Sequence, residues 1–296
     1  MKQRSFWERI VWAAARRGWL NAMSDESYLK LIYKNKIGKP LNLQHPTTFN
    51  EKLQWLKLYD HNPKYPTLVD KYAVREFVTQ TIGEEYLFPL LGVWDHPEDI
   101  AWDDLPEQFV LKCTHDSGGV VLCRDKETMN RDLAYWKLFS SWSKNFYYQV
   151  REWPYRDVCP RILAEPLMKE DDCDELRDYK LMVFNGTVRC SFVCSNREMG
   201  LNVTFFDTEW KRMPFERHYP PDPSLISKPN SYEEMVYLAE RLAEEIPFVR
   251  VDFYEIDGHP YFGEMTLYPG SGFEEFTPPE WDRVLGNWLT LPERNV

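Results

Sequence analysis

Residues 248–272, FVRVDFYEIDGHPYFGEMTLYPGSG, constrain this chain more than any other segment. Two runs of alternating apolar and polar residues, 248–256 and 260–267, meet across Asp257-Gly258, which marks a β-hairpin. Alternation places Val249, Val251 and Phe253 on one face of the first strand and Arg250, Asp252 and Tyr254 on the other. On the return strand it groups Phe262, Glu264 and Thr266. Asp252 and Glu264 are an even number of residues apart, so a loop of odd length, such as a three-residue loop using Gly258, brings both carboxylates to one face. A two-residue loop separates them. Facing carboxylates repel unless a cation lies between them. Mg²⁺, which takes one or two carboxylates together with phosphate oxygens, suits that position. A solvated sheet face carrying an Arg250–carboxylate ion pair fits the same spacing, and spacing alone leaves both readings open.

The rest of the chain divides in two by texture. The first 80 or so residues read as helical: 24–34 behind the capping Ser24, 49–59 with Phe49, Leu53 and Leu56 inward, and about 70–80. From Tyr86 onward, short apolar runs at 109–114, 120–124, 162–167, 179–184, 187–194 and 203–207 read as strands, with Asn185-Gly186 as a hairpin turn. Helices are expected near 126–142, from the capping box Ser231-x-x-Glu234 to about 245, and at 280–289. The proline-rich piece 214–229 is expected as a loop over a site. The class is α+β, with no internal repeat.

Composition excludes several functions. Aromatic content of 16% and hydrophobic content of 43% call for a packed core, not a disordered chain. Lys+Arg 36 against Asp+Glu 47 leaves a net charge of −11, which argues against a nucleic-acid partner. The six cysteines form no CxxC pair, so free thiols in a reducing, cytoplasmic setting are expected. No apolar run is long enough to span a bilayer. Residues 1–20 nevertheless carry +4, and residues 5–20 read as a basic aromatic helix. Such a helix suits peripheral contact with the inner face of an anionic membrane, or packing on the body of the protein.

Three further constellations could handle phosphate. Lys112 ends a predicted strand and is followed by Ser117-Gly118-Gly119, where backbone N–H groups and an ammonium can cradle an anion. A plain Gly-Gly turn fits the same residues. Lys180, on a strand face with Met182 and Phe184, needs an anionic partner. Lys71 opens a helix behind Asp70. No Walker A loop, GxGxxG turn, GxSxG elbow or His-x-x-x-His pair is present.

Taken in order, Lys71, Lys112 with Ser117-Gly118-Gly119, Glu165-Pro-Leu167, Lys180, Arg250-x-Asp252 and Glu264-x-Thr266 resemble the ATP-grasp superfamily. The segments YKNKIGKPLNLQHPTTFNEKLQWLKLYD (33–60), LVDKYAVREFV (68–78), FVLKCTHDSGG (109–119), DYKLMVFNG (178–186) and VRVDFYEIDGHPYFGEMTLYPGSG (249–272) resemble, more closely, its TupA-like family of bacterial polysaccharide gene clusters. The resemblance implies two α+β lobes clasping ATP, behind a mostly helical N-terminal region. It suggests a division into 1–22, 23–85, 86–160 and 161–296. It implies that Lys71 and Lys112 meet the α- and β-phosphates, and that Ser117, Gly118 and Gly119 close over the γ-phosphate. Glu165 to Leu167 would hold adenine, with Glu170 or Asp172 on ribose. Asp252, Glu264 and Thr266 would bind Mg²⁺; many members carry Asn where Thr266 stands. Arg250 and Lys180 would serve the transferring phosphoryl group, and Ser271 and Gly272 would position the acceptor. The implied activity is ATP-dependent joining of a carboxylate, a uronic acid of a surface glycan or its precursor, to an amino acid or amine. Phosphoryl transfer to a sugar or small molecule, and a degenerate nucleotide-binding scaffold, are the alternatives. A glycosyltransferase is disfavoured because no nucleotide-sugar DxD stands between strands.

Overall fold

The computed structural model describes residues 6–116, 118–168, 176–196 and 200–294. Helices α1 (Phe6–Arg16), α2 (Asp25–Ile37), α3 (Phe49–Tyr59), α4 (Tyr65–Val69) and α5 (Val74–Thr81) open the chain. The caps are local chemistry. Ser24 accepts from the Ser27 N–H to start α2, and Gly38 in the left-handed region ends it. Thr48 and Glu51 form a reciprocal capping box on α3. The first helix lies against α2, with Ala15 buried and the Lys36 ammonium 4.1 Å from the centre of the Trp12 ring.

A four-stranded antiparallel sheet follows, built from β1 (Gly92–Trp94), β2 (Phe109–Cys113), β3 (Val120–Cys123) and β4 (Ile162–Pro166) in the order β1-β4-β2-β3. Helix α6 (Arg131–Trp142) covers it, starting later than the expected 126 because Asn130 caps it by accepting from the Leu133 N–H. A short α7 (Tyr147–Val150) leads on. This sheet has its own small core around Phe109, Leu111, Leu138 and Ile162. Because β4 pairs with β1 and β2, a division at 160/161 cuts this sheet, and its last strand belongs with the lobe before it.

The second sheet runs β10-β9-β5-β6-β7, every neighbour antiparallel: β5 (Asp178–Phe184), β6 (Thr187–Ser195), β7 (Asn202–Phe206), β9 (Phe248–Ile256) and β10 (His259–Thr266). Helix α8 (Tyr232–Leu242) packs Met235, Leu238 and Leu242 into the large core that also holds Leu181, Val249 and Val251. The opposite face carries Lys180, Met182, Arg250 and Asp252. Every residue of β5 is buried, charged ones included. The last helix, α9 (Glu280–Trp288), lies on α3 so tightly that a Cβ on Gly286 would stand 2.3 Å from the Thr47 carbonyl oxygen.

Two expectations need correction. Ser231 does not cap α8: its N–H and hydroxyl both bind the Glu255 carboxylate, at 2.6 and 2.5 Å, while Glu234 receives the Tyr86 hydroxyl. A tertiary carboxylate has displaced the local cap. The 214–229 segment is not wholly loop either. Its strand β8 (Glu216–Arg217) pairs with β11 (Phe276–Thr277), and Phe215 stacks on Trp281.

Candidate active site

The β9–β10 turn is the two-residue Asp257-Gly258, both residues at positive φ. By loop length alone, that turn would split the carboxylates. A bulge at Gly263 restores them to one face: Phe262 pairs with Phe253, and two residues later on β10, but only one on β9, Glu264 stands opposite Asp252, with Thr266 opposite Arg250. The bulge needs glycine, since a Cβ there would press on the Asp252 carbonyl and the Tyr254 ring at 3.1 Å. It also separates Phe262, which packs on Phe253 in the core, from Glu264 and Thr266. The expected shared face of those three residues is thus corrected.

Around the paired carboxylates, charges come in equal numbers. Arg250 donates through Nε and an Nη to the two Asp252 oxygens, at 2.6 Å each, and reaches Glu264 at 2.7 Å. Lys180 sits opposite Asp252 across β5 and binds both it and Asp178, the latter at 2.6 Å. Lys71 comes within 3.9 Å of Glu264. Three carboxylates thus face three cations in a region where charges cannot be left alone. Burial pushes the Asp252 carboxyl up to about 6 against the pull of Arg250 and Lys180. Burial acts on Glu264 too, but Lys71, Arg250 and Lys180 outweigh it and hold it down at about 2. Burial disfavours the Lys180 ammonium, yet Asp178 and Asp252 keep it above its ordinary range.

The cation between the carboxylates is therefore, in the first instance, the guanidinium of Arg250, the alternative that spacing had left open. The donor set still suits Mg²⁺. Glu264 is 32% exposed, one of its oxygens faces Lys71, and the Thr266 hydroxyl donates to the other at 3.3 Å. These are hard oxygen donors. Asp252 is buried behind them with both oxygens engaged. Among the described residues, no three His, Cys, Asp or Glu side chains gather as a metal cage.

Lys71 joins the two lobes. Its backbone N–H binds the Thr114 carbonyl at 3.0 Å, its ammonium binds the Asp116 carbonyl, and the same ammonium approaches Glu264. On the small sheet, Lys112 pairs with Glu165 at 2.6 Å and Arg75 pairs with the other Glu165 oxygen at 3.2 Å. The Glu165 side chain is thus an ion-pair partner for Lys112, and Leu167 follows the end of β4. Gly119 has a packing reason as well: a Cβ there would meet Cys113 Sγ at 2.6 Å, and its N–H binds the Asp116 carboxylate. Gly118 has open space around it. Ser117, and the ribose candidates Glu170 and Asp172, lie outside the described residues. Ser271 and Gly272 form a turn whose hydroxyl donates to Glu152 at 2.7 Å.

Several of these groups escaped the sequence. Asp178 was legible, because Asp178-x-Lys180 puts both side chains on one strand face. Arg75, Asp116 and Glu152 carry no local signal; only the folded chain brings them against Glu165, Lys71 and Ser271.

Residues 51–290 match the family described as TupA-like ATPgrasp. No curated protein sequence matches the chain. Among solved structures it is similar to D-alanine–D-alanine ligase from Bacillus anthracis (17% identity, 68% of this chain and 57% of that one, TM-score 0.40). It is also similar to N5-carboxyaminoimidazole ribonucleotide synthetase from Thermus thermophilus (14% identity, 74% and 51%, TM-score 0.41). This chain spans little more than half the length of either. The family match covers most of the sequence, including both sheets and every charged group of the site; the chain belongs to the TupA-like ATP-grasp family.

Proposed function

We propose that this protein is an ATP- and Mg²⁺-dependent carboxylate–amine ligase working through an acyl phosphate, and that its carboxylate is a uronic acid of a bacterial surface polysaccharide or its precursor. The observation carrying this reading is the opposed pair Asp252 and Glu264, bracketed by Arg250, Lys180 and Lys71 at the junction of the two sheets. Phosphoryl transfer asks little covalent chemistry of a protein and much charge neutralisation, which is what this cluster supplies. Lys71 and Lys112 would meet the phosphates of ATP, with Glu165 to Leu167 beside adenine. Glu264, Thr266 and Asp252 would hold Mg²⁺, which supplies charge neutralisation on the phosphate oxygens when bound. Arg250 would steady the negative charge of the phosphoryl group as the carboxylate attacks it. Gly118 and Gly119 would shield the acyl phosphate from water until the amine arrives.

The test is ADP release from Mg-ATP against a panel of uronic acids, with and without amino acids or simple amines. A ligase gives ADP, free phosphate and an amide only when both partners are present. ADP from one substrate, with phosphate retained on it, identifies a phosphotransferase and removes the amine half of the proposal. ATP binding without ADP release from any combination would leave a nucleotide-binding scaffold.

A membrane-facing role belongs to the same reading. Arg9, Ile10, Arg17 and Trp19 are exposed around α1 on a segment of charge +4 in a protein of −11, which suits an anionic surface. Among the described residues no helix is long and apolar enough to cross a membrane. Sedimentation with phosphatidylglycerol vesicles, compared with phosphatidylcholine vesicles and with a chain lacking residues 1–20, tests it. Equal binding to both lipids, or binding unaffected by the deletion, removes it.

A further inference from the structure

The outer strands of the two sheets are protected unequally. Along β7, the Met213 N–H donates to the Phe205 carbonyl and the Val203 N–H to the Pro220 carbonyl, so chain covers that edge. At β10, the His259 ring bonds to the Glu85 carbonyl at 3.0 Å. β1 is three residues long and half-buried throughout. β3 differs. β2 pairs with one side of it, and among the described residues no strand pairs with the other. An open edge is usually guarded by a charge, a proline or a bulge. Val120-Val121-Leu122-Cys123 carries no charge and no proline, and its register with β2 is unbroken.

Both faces beside this edge carry exposed apolar side chains. Val121 and Cys123 belong to the small core under α6, so Leu122 between them points to the opposite face, where it is 53% exposed. On the α6 side a groove of about 420 Å³ runs between strand and helix, with Met129, Leu133 and Ala134 among its walls. Leu133 is 68% exposed, and Trp136, one helical turn on, is 61% exposed. A strand added to this edge would find apolar cover on both of its faces. The stretches of this chain outside the described residues are short and polar, 169–175 being Lys-Glu-Asp-Asp-Cys-Asp-Glu, and supply no such strand.

We infer that the occupant is β3 of a second copy of this chain, paired antiparallel across a two-fold axis so that two four-stranded sheets become one. Such pairing sets Leu122 beside its symmetry mate on one face and lays the two α6 helices side by side on the other. Charge agrees with that direction. Arg124, Asp125 and Lys137 are the charged residues of the groove. Alternation sends Arg124 to the Leu122 face and leaves Asp125 and Lys137 on the α6 side. Helix α6 runs back toward the start of β3, where a Cβ on Gly119 would meet Ser141 at 2.8 Å. Lys137 therefore stands near the beginning of the strand, and Asp125 past its end. Antiparallel pairing crosses these ends and carries each Lys137 toward the Asp125 of the other copy, whereas parallel pairing sets like charges together. An anionic lipid surface would favour Lys137 and reject Asp125.

The experiment is sedimentation velocity on the full chain over about a hundredfold range of concentration. The wild-type chain is expected to form a concentration-dependent dimer. Leu133→Glu and Leu122→Lys, both at exposed positions, are expected to raise its dissociation constant about tenfold or more while far-ultraviolet circular dichroism stays unchanged. Lys137→Met and Asp125→Asn test the crossing, since asparagine keeps the oxygen that accepts the Glu127 and Thr128 N–H groups. Each is expected to weaken the dimer about threefold or more, and the double variant no more than either alone. A wild-type chain that stays monomeric overturns the proposal, as does a dimer indifferent to Leu122 and Leu133. Additive effects of Lys137→Met and Asp125→Asn overturn the antiparallel pairing. A monomer that sediments with phosphatidylglycerol vesicles, and ceases to on Leu133→Glu, overturns it in favour of lipid.

Discussion

The two sheets carry the same kind of ion pair in different surroundings. On the five-stranded sheet, Lys180, Asp178 and Asp252 are at most 9% exposed at their side chains, each with an opposite charge on a neighbouring position. At the four-stranded sheet, Lys112 of β2 and Arg75 of α5 are 21% and 17% exposed, and both share the single carboxylate Glu165. The first cluster is locked into a ladder above a large core. The second is a loose cationic excess on a sheet with a small core of its own. A rigid anionic-and-cationic floor suits holding a metal and a transferring group, which demands position. A looser cationic wall, able to release its carboxylate partner, suits phosphates that come and go. Lys71 spans the two.

The contrast breaks first at Lys180. Lys180→Met leaves Asp178 and Asp252 buried with one fewer cation and is expected to destabilise the protein by about 3–5 kcal/mol; urea denaturation measures it. A loss under about 1 kcal/mol would mean the floor is not locked. Asp252→Asn is expected to lower ADP release by about 100-fold or more with little change in far-ultraviolet circular dichroism. Unchanged turnover would remove Asp252 from the site. A third measurement addresses Lys57, buried on α3 with its ammonium donating to the Val150 and Ser271 carbonyls. Burial pulls the Lys57 ammonium down to about 8. The unfolded chain keeps that proton to about pH 10.5, so between about 8 and 10.5 the unfolded state holds more protons and stability rises with pH. Relative to Lys57→Met, the wild-type chain should gain up to about 3 kcal/mol across that window. Parallel pH profiles would show that Lys57 is not held as described.

The small sheet should respond more mildly. Gly119→Ala forces a methyl against Cys113 and Ser141 and is expected to cost about 1–3 kcal/mol. Lys112→Met leaves Glu165 still paired with Arg75, so stability should fall by about 1 kcal/mol or less. Its effect belongs in ATP affinity, read by equilibrium dialysis. A large stability loss from Lys112→Met, equal to that from Lys180→Met, would erase the distinction between floor and wall.

Much of this was legible in residue order. The strands of both sheets, apart from the short β1, follow apolar runs and turn residues, and Asn185-Gly186 and Asp257-Gly258 both form tight turns at positive φ. The two serines expected as helix caps behave differently. Ser24 caps α2. Ser231 had Glu255, which lies on another element, and does not cap. The same limit explains the hairpin. Loop parity is a local rule, but the bulge at Gly263 adds a residue that parity cannot count. Asp252 and Glu264 came together by a route other than the odd-length loop.

Sequence by itself determined the α+β class, the succession of elements, the hairpin with its carboxylates, and the family pattern from Lys71 to Thr266. These rest on periodicity and on short-range turn and cap chemistry, where the interacting groups are a few residues apart. Tertiary structure alone decided what neutralises the carboxylates, that Lys71 joins the lobes, and that Glu152 and α3 meet the Ser271 turn. Those contacts join segments far apart in the chain: Gln54 and Ser271 are separated by 217 positions. No local preference reports on such a pair, because its energy exists only once the core has brought two distant segments together.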